Sequence, residues 1–252
     1  MATDTYTGGL EGAVVAVAGA GGAAGRAALK RLARAGAQVI AADADPEHLA
    51  ASVDAARVEA PGAEVTGEIV DLLDPEATED WAARIEKDHG RVDGLVHLVG
   101  GWRGSASFPE TDLADWDLLH RLLIRTVQHT SLAFHDGLMR SPDGRYVLIS
   151  AAGAAAPTAG NAAYAAAKAA AEAWTLALGD SFRKLSGENG LTTAATVLVI
   201  KALVHDEMRA QRPNAKFAGY TDAADLAEAV AALWNRSPTE VNGTRQWLTP
   251  RP

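Results

Sequence analysis

The stretch 13-AVVAVAGAGGAAGRAALKRLARAG-36 decides how this chain is to be read. It opens on a short apolar run, 14-VVAVA-18, of the kind that forms a strand buried on both faces. It closes on the helical segment 26-RAALKRLARAG-36. Between them, 19-GAGGAAG-25 is a glycine-rich turn. Such a turn lets backbone come close to a pyrophosphate, which then sits at the helix N-terminus. Gly19, Gly21, Gly22 and Gly25 are therefore candidate nucleotide-binding positions. A glycine-rich loop alone says little in a chain this rich in alanine and glycine; its placement directly after the first strand gives it meaning.

Working outward, strand-like runs recur at 13–19, 37–43, 63–70, 92–99, 145–150 and 191–200. Helical stretches lie near 23–35, 46–60, 75–89, 112–139, 161–186 and 222–236. Asp45-Pro46 and Asp74-Pro75 each place an N-cap before a proline at the first helical position. Alternating strands and helices imply parallel strands joined by right-handed crossovers, with helices on both sheet faces. The fold class expected is α/β, a doubly wound parallel sheet. Such sheets bind ligands beyond the carboxyl ends of their strands. The 252 residues, 48% of them hydrophobic, contain no linker-like stretch, repeat or long charge run, so one domain is expected over 1–252.

The net charge of -9, with acidic and basic residues interspersed, argues against a nucleic-acid partner. The absence of cysteine removes disulfides, thiolate metal sites and a cysteine nucleophile. The opening MATDTYTGGL has neither the basic nor the apolar region of a signal peptide, and no apolar run is long enough for a bilayer. A cytoplasmic protein without a membrane partner is the expectation. His120, His129 and His135 share one helical stretch without the i, i+4 spacing of a metal-binding pair, so no metal is expected.

At the strand ends, Asp43 suits a carboxylate accepting hydrogen bonds from an adenosine ribose diol. It would repel a 2'-phosphate, and no cation follows in 43-DADPEH-48, so NAD(H) is expected in preference to NADP(H). Asp71 ends the third strand, placed either to meet the adenine amine or to cap the following turn. In 161-NAAYAAAKAAAEAW-174, Tyr164 and Lys168 are four positions apart and share a helix face. A cation beside a phenol favours the phenolate, one way to tune a tyrosine for acid–base work.

Glycine-rich first turn, acidic end of strand two, a serine at the end of strand five, then Tyr164-x-x-x-Lys168: the arrangement resembles the short-chain dehydrogenase/reductase family, over almost the whole chain. The resemblance implies a Rossmann-type sheet of about seven strands, and hydride transfer between NAD(H) and a small carbonyl or alcohol substrate without a metal. It implies that Tyr164 is the general acid/base, that Lys168 lowers its pKa and holds the nicotinamide ribose, and that Ser150 hydrogen-bonds the substrate oxygen. Gly100, in 97-HLVG-100, falls where the family's strand-four motif meets the cofactor. It implies a substrate lid near 202–221, with Trp102, Arg103, Phe108, His205, Met208, Phe217 and Tyr220 around the substrate. It also implies a homo-oligomer, dimer or tetramer, built through the two long helices.

The chain departs from the family in several places. Ser150 stands one position earlier than usual, where Ala151 takes the expected place, although 150-SAAG-153 keeps the serine-x-x-glycine pattern. Ala23 replaces the middle glycine of the first turn, and its methyl is expected to press on the pyrophosphate or shift the helix start. Leu123 replaces an asparagine that helps hold a proton-relaying water. 201-KA-202 replaces proline-glycine after strand six. These changes leave a second reading open, a nucleotide-binding relative that has lost turnover and acts by binding a cofactor or partner.

Overall fold

The computed structural model describes residues 8–187 and 190–251. Residues 1–7, most of the MATDTYTGGL opening expected not to be a signal peptide, lie outside them. The chain begins with β1 (Val14–Ala18), α1 (Ala23–Arg34), β2 (Gln38–Asp43), α2 (Pro46–Glu59), β3 (Val65–Ile69), α3 (Pro75–His89) and β4 (Gly94–His97). It continues through α4 (Leu113–His120), a π-helical turn at Arg121–Arg125, α5 (Thr126–Arg140), β5 (Gly144–Ala151), α6 (Ala162–Ser186) and β6 (Thr193–Ile200). After α7 (Asp206–Gln211) and α8 (Ala223–Ala231) the last strand, β7 (Thr244–Trp247), completes the sheet.

The seven strands lie in the order β3-β2-β1-β4-β5-β6-β7, and every pairing is parallel. Strand alternation sorts the core into two layers. Val15, Val17, Val39, Val147 and Leu198 face a cluster shared with Leu29 and Leu32 of α1 and Leu226 of α8. Val14, Ile40, Leu95, Tyr146 and Val197 face the other side, against Trp81, Phe134 and Phe182. Both sides are covered by helices, so the central strands read as continuous apolar runs, whereas the two edge strands, VTGEI and TRQW, do not.

Local chemistry starts and stops the helices. Asp45 and Asp74 each accept hydrogen bonds from two first-turn amides, with proline at the first helical position. Gly90 ends α3 in the left-handed region at φ 74°. At the amino ends of the strands, buried Asp93 gathers the Val14 amide at 2.9 Å, the Ser141 hydroxyl at 2.6 Å and the Arg91 guanidinium. Arg145 is fully buried beside it in β5. Its guanidinium donates to the carbonyls of Gly144, Leu233 and Arg236 and pairs with Asp143 at 2.6 Å. No helix among the described residues is long and apolar enough to cross a membrane.

Candidate active site

The strand order reverses between β1 and β4, and the glycine-rich turn sits there. Gly19 adopts φ 80°, and a Cβ on it would lie 2.6 Å from the Val99 amide nitrogen. Only glycine permits both the turn and this approach. Gly25 packs onto Ala20, whose carbonyl oxygen would be 2.5 Å from a Cβ, and so seats α1 on the loop. The Gly21 amide donates to Asp43 Oδ2 at 2.8 Å; this glycine serves the carboxylate rather than the cleft wall. A Cβ on Gly22, by contrast, would meet nothing nearer than 3.9 Å.

Gly19, Gly22, Ala23, Gly25, Asp43, Asp71 and Gly100 line a cavity of about 440 Å³ at this point. Whereas α2, α3 and α4 begin on capping aspartates, α1 begins on Gly22 with no side-chain cap and no acidic residue in its first turn. Its first amides and the positive end of its dipole are thus left to an anion. The open space over Gly22 and the uncapped amides fit a pyrophosphate. α1 starts at Ala23, whose methyl forms part of the wall. Asp43 also accepts from the Asp45 amide at 3.0 Å, which fixes both of its oxygens at the cavity edge. Asp71 both lines the cavity and caps its own turn through the Leu73 amide at 2.9 Å.

A second cavity of about 550 Å³ shares Ala24, Leu98, Val99, Gly100 and Leu203 with the first, so the two form one cleft. Its walls include Ser150, Asn161, Tyr164, Lys168 and Lys201. Tyr164 and Lys168 share this wall as their spacing predicts, but not the expected electrostatics. Burial pushes the Tyr164 hydroxyl up to about 12. Burial pulls the Lys168 ammonium down to about 8, against the raising field of Glu172 one turn on. The Lys168 Nζ donates to the Ile149 carbonyl at 2.8 Å. Desolvation thus outweighs any lowering of the tyrosine by its neighbour.

Ser150 is only 1% exposed, and its hydroxyl donates to Glu172 Oε1 at 2.5 Å. In this structure that proton is therefore engaged by a carboxylate, while Ser150 still lines the cavity. Glu172 is itself buried and takes Arg245 on its other oxygen at 2.5 Å. Glu172 escaped the sequence reading, although its place four residues after Lys168 was a usable signal.

His97 ends β4 between two threonines, with Nε2 3.2 Å from Thr126 Oγ1 and Nδ1 3.1 Å from Thr130 Oγ1. Burial, then the field of Lys168, lowers its pKa to about 3, so it stays neutral. Leu123 lies in the π-helical turn, packed with Leu119, Ile124 and Ala167. The Leu122 carbonyl of that turn accepts from Thr126 Oγ1 at 2.6 Å.

The mouth of the cleft is less crowded than the sequence suggested. Trp102 and Tyr220 reach its wall, while Arg103 turns to Asp115 at 3.6 Å and Phe108 stands in solvent. Phe217, at φ 45°, packs edge-on against Tyr220 rather than into the cleft. Lys201 is exposed and donates to the Ala218 carbonyl at 3.0 Å. The segment between Leu203–Val204 and Thr221–Asp222 is closed at its base, where these two pairs form a small parallel ladder. Arg26 of α1 reaches Glu207 of α7 at 3.0 Å, and Arg209 reaches Asp222 at 2.5 Å. No group of three or more possible metal ligands occurs among the described residues.

Comparison with known proteins agrees with this geometry. A family model described as short chain dehydrogenase matches residues 13–186. The 2,3-dihydro-2,3-dihydroxybenzoate dehydrogenase of Bacillus subtilis is 31% identical over 171 residues, covering 68% of this chain and 64% of that protein, a little under two thirds of its length. The solved structure of a short chain dehydrogenase from Burkholderia cenocepacia in complex with NADP is 27% identical, with a TM-score of 0.79 over 95% of this chain and 97% of that one. A short-chain type dehydrogenase/reductase from Mycobacterium ulcerans shares the fold at 19% identity, with a TM-score of 0.84 over 95% and 89% of the two chains.

Proposed function

Since this chain belongs to the short-chain dehydrogenase family, we propose that it is an oxidoreductase that uses NAD(H) on a small carbonyl or alcohol substrate. The observation that carries the reading is the single cleft in which the uncapped N-terminus of α1 opens at one end and Tyr164 and Lys168 stand at the other. When bound, the nicotinamide supplies or accepts the hydride. Gly22, Ala23 and Ala24 hold the pyrophosphate through backbone amides, and Gly19 and Gly25 shape the turn that presents them. Asp43 accepts from the ribose diol, and the acidic run after it, with no cation, favours NAD(H) over NADP(H). Asp71 and Gly100 form the walls beyond.

In reduction, negative charge grows on the substrate oxygen and Tyr164 delivers a proton to it. A phenol held near 12 carries the proton this step needs at neutral pH. Lys168, on the same wall, would hold the nicotinamide ribose hydroxyls. Exposed Leu132, Trp174 and Leu185 lie on α5 and α6 and support a homo-oligomer, dimer or tetramer, formed through those helices.

Calorimetric titration with NADH and NADPH, followed by a screen of aldehydes, ketones and alcohols, tests the reading. We expect NADH to bind more tightly than NADPH, and Tyr164→Phe to lose turnover at least a hundredfold while its NADH affinity stays nearly the same. Absence of binding by either nucleotide would refute the proposal. Tight NADH binding without turnover would leave a nucleotide-binding protein instead.

A further inference from the structure

We infer that Asn161, not Ser150, is the second hydrogen-bond donor to the substrate oxygen. The inference rests on the oxidoreductase reading above and adds a residue to it. A carbonyl being reduced needs a donor besides the tyrosine, because charge develops on its oxygen. Ser150 has one hydroxyl proton, and Glu172 holds it. Ala151, next to it, has none to give.

Asn161 stands three residues before Tyr164, on the same side of the start of α6, and lines the cavity that Tyr164 and Lys168 line. The orientation of its amide is fixed. Its Oδ1 accepts from the Thr158 backbone amide at 2.7 Å, which a nitrogen in that place could not do. Nδ2 is therefore turned the other way, toward the strand-end segment that carries Ser150. There a Cβ on Gly153 would come within 3.0 Å of it, so the glycine leaves the space this nitrogen occupies. Nδ2 has no hydrogen-bond partner among the described residues, whereas Asn161 Oδ1 is satisfied. Two N–H donors, held by a locked amide in a substrate-sized cavity beside the acid, have the form of an oxyanion donor. Asn161 donates hydrogen bonds only; the proton that ends on the substrate oxygen still comes from Tyr164.

The two jobs of the amide can be separated by substitution. Asn161→Asp keeps an oxygen for the Thr158 amide and removes the donors. Asn161→Ala removes both. The probe is 4-(dimethylamino)cinnamaldehyde bound with NAD⁺, whose long-wavelength band moves to the red as its carbonyl oxygen accepts hydrogen bonds. We expect a red shift in the wild type that persists in Ser150→Ala, shrinks in Tyr164→Phe and shrinks in both Asn161 variants. With NADH and the same aldehyde, kcat should fall roughly a hundredfold in both Asn161 variants, with NADH affinity by calorimetry unchanged. A wild-type shift and rate in Asn161→Asp would make the residue a loop strut only and overturn the inference. So would loss of the shift in Ser150→Ala with retention in Asn161→Ala. If the wild type binds NADH but gives no shift, the donor assignment fails while the cofactor reading stands; if NADH does not bind, both fail.

Discussion

The buried ammonium of Lys168 gives the most direct test of the site's electrostatics, because it is measured without substrate or cofactor. The side chain is 7% exposed, and burial lowers its pKa from 10.5 to about 8. Between those values the folded protein binds fewer protons than the unfolded chain, so stability must rise with pH across that window. Each unit is worth about 1.4 kcal/mol, so the cation costs the cofactor-free fold about 3 kcal/mol at neutral pH. From about pH 7 to about pH 9.5 some 2 kcal/mol of that cost is relieved, and the remainder goes as the unfolded lysine titrates. Lys168→Met keeps most of the side-chain volume and abolishes the effect. Urea unfolding of both proteins at the two pH values isolates it, because titrating groups not coupled to Lys168 cancel in the difference. The expected result is a wild type that gains about 2 kcal/mol on the methionine variant as pH rises. A constant offset, within about 0.5 kcal/mol, would refute the claim that desolvation dominates at Lys168.

Two further outcomes follow from the scaffold. Arg145→Leu strips four partners from the buried end of β5 and should cost about 3–5 kcal/mol, read as a melting point lower by roughly 10 °C; a drop of under about 2 °C would show that the carbonyls find other donors. Gly25→Ala gains up to about 1 kcal/mol in helix propensity but drives a methyl into the Ala20 carbonyl, so net destabilisation of about 1–3 kcal/mol and weaker NADH binding are expected. A more stable variant in chemical denaturation would show that the loop can yield there.

What could be read from sequence was what neighbours along the chain decide. The strand, glycine turn and helix at 14–34 and the Asp-Pro caps at 45 and 74 are local devices, and they form where they are written. The pairing of Tyr164 with Lys168 on one face follows from helix periodicity alone. The direction of their pKa shifts does not, because it depends on how much protein closes over α6. Likewise, Ser150 looks like a free hydroxyl until α6 lays Glu172 against β5, 22 residues on. Arg145 reads as the polar start of a strand; its carbonyl partners on Leu233 and Arg236 lie 88 and 91 residues away, with no local sign of the contact. Asn161 was legible as a helix-start residue, but its free nitrogen is a property of the packed loop.

The ladder joining Leu203–Val204 to Thr221–Asp222 has a consequence for how such a protein diversifies. It pins both ends of one excursion to the same root, so residues 205–220 form a cassette tied to the rest of the fold through that root and a few contacts such as Arg26–Glu207 and Lys201–Ala218. Insertions, deletions or a new set of side chains there alter what stands over the cleft while the strand register, the glycine turn and the Tyr–Lys wall stay as they are. Selection can then rewrite that single peptide while the strand register of the sheet stays in place.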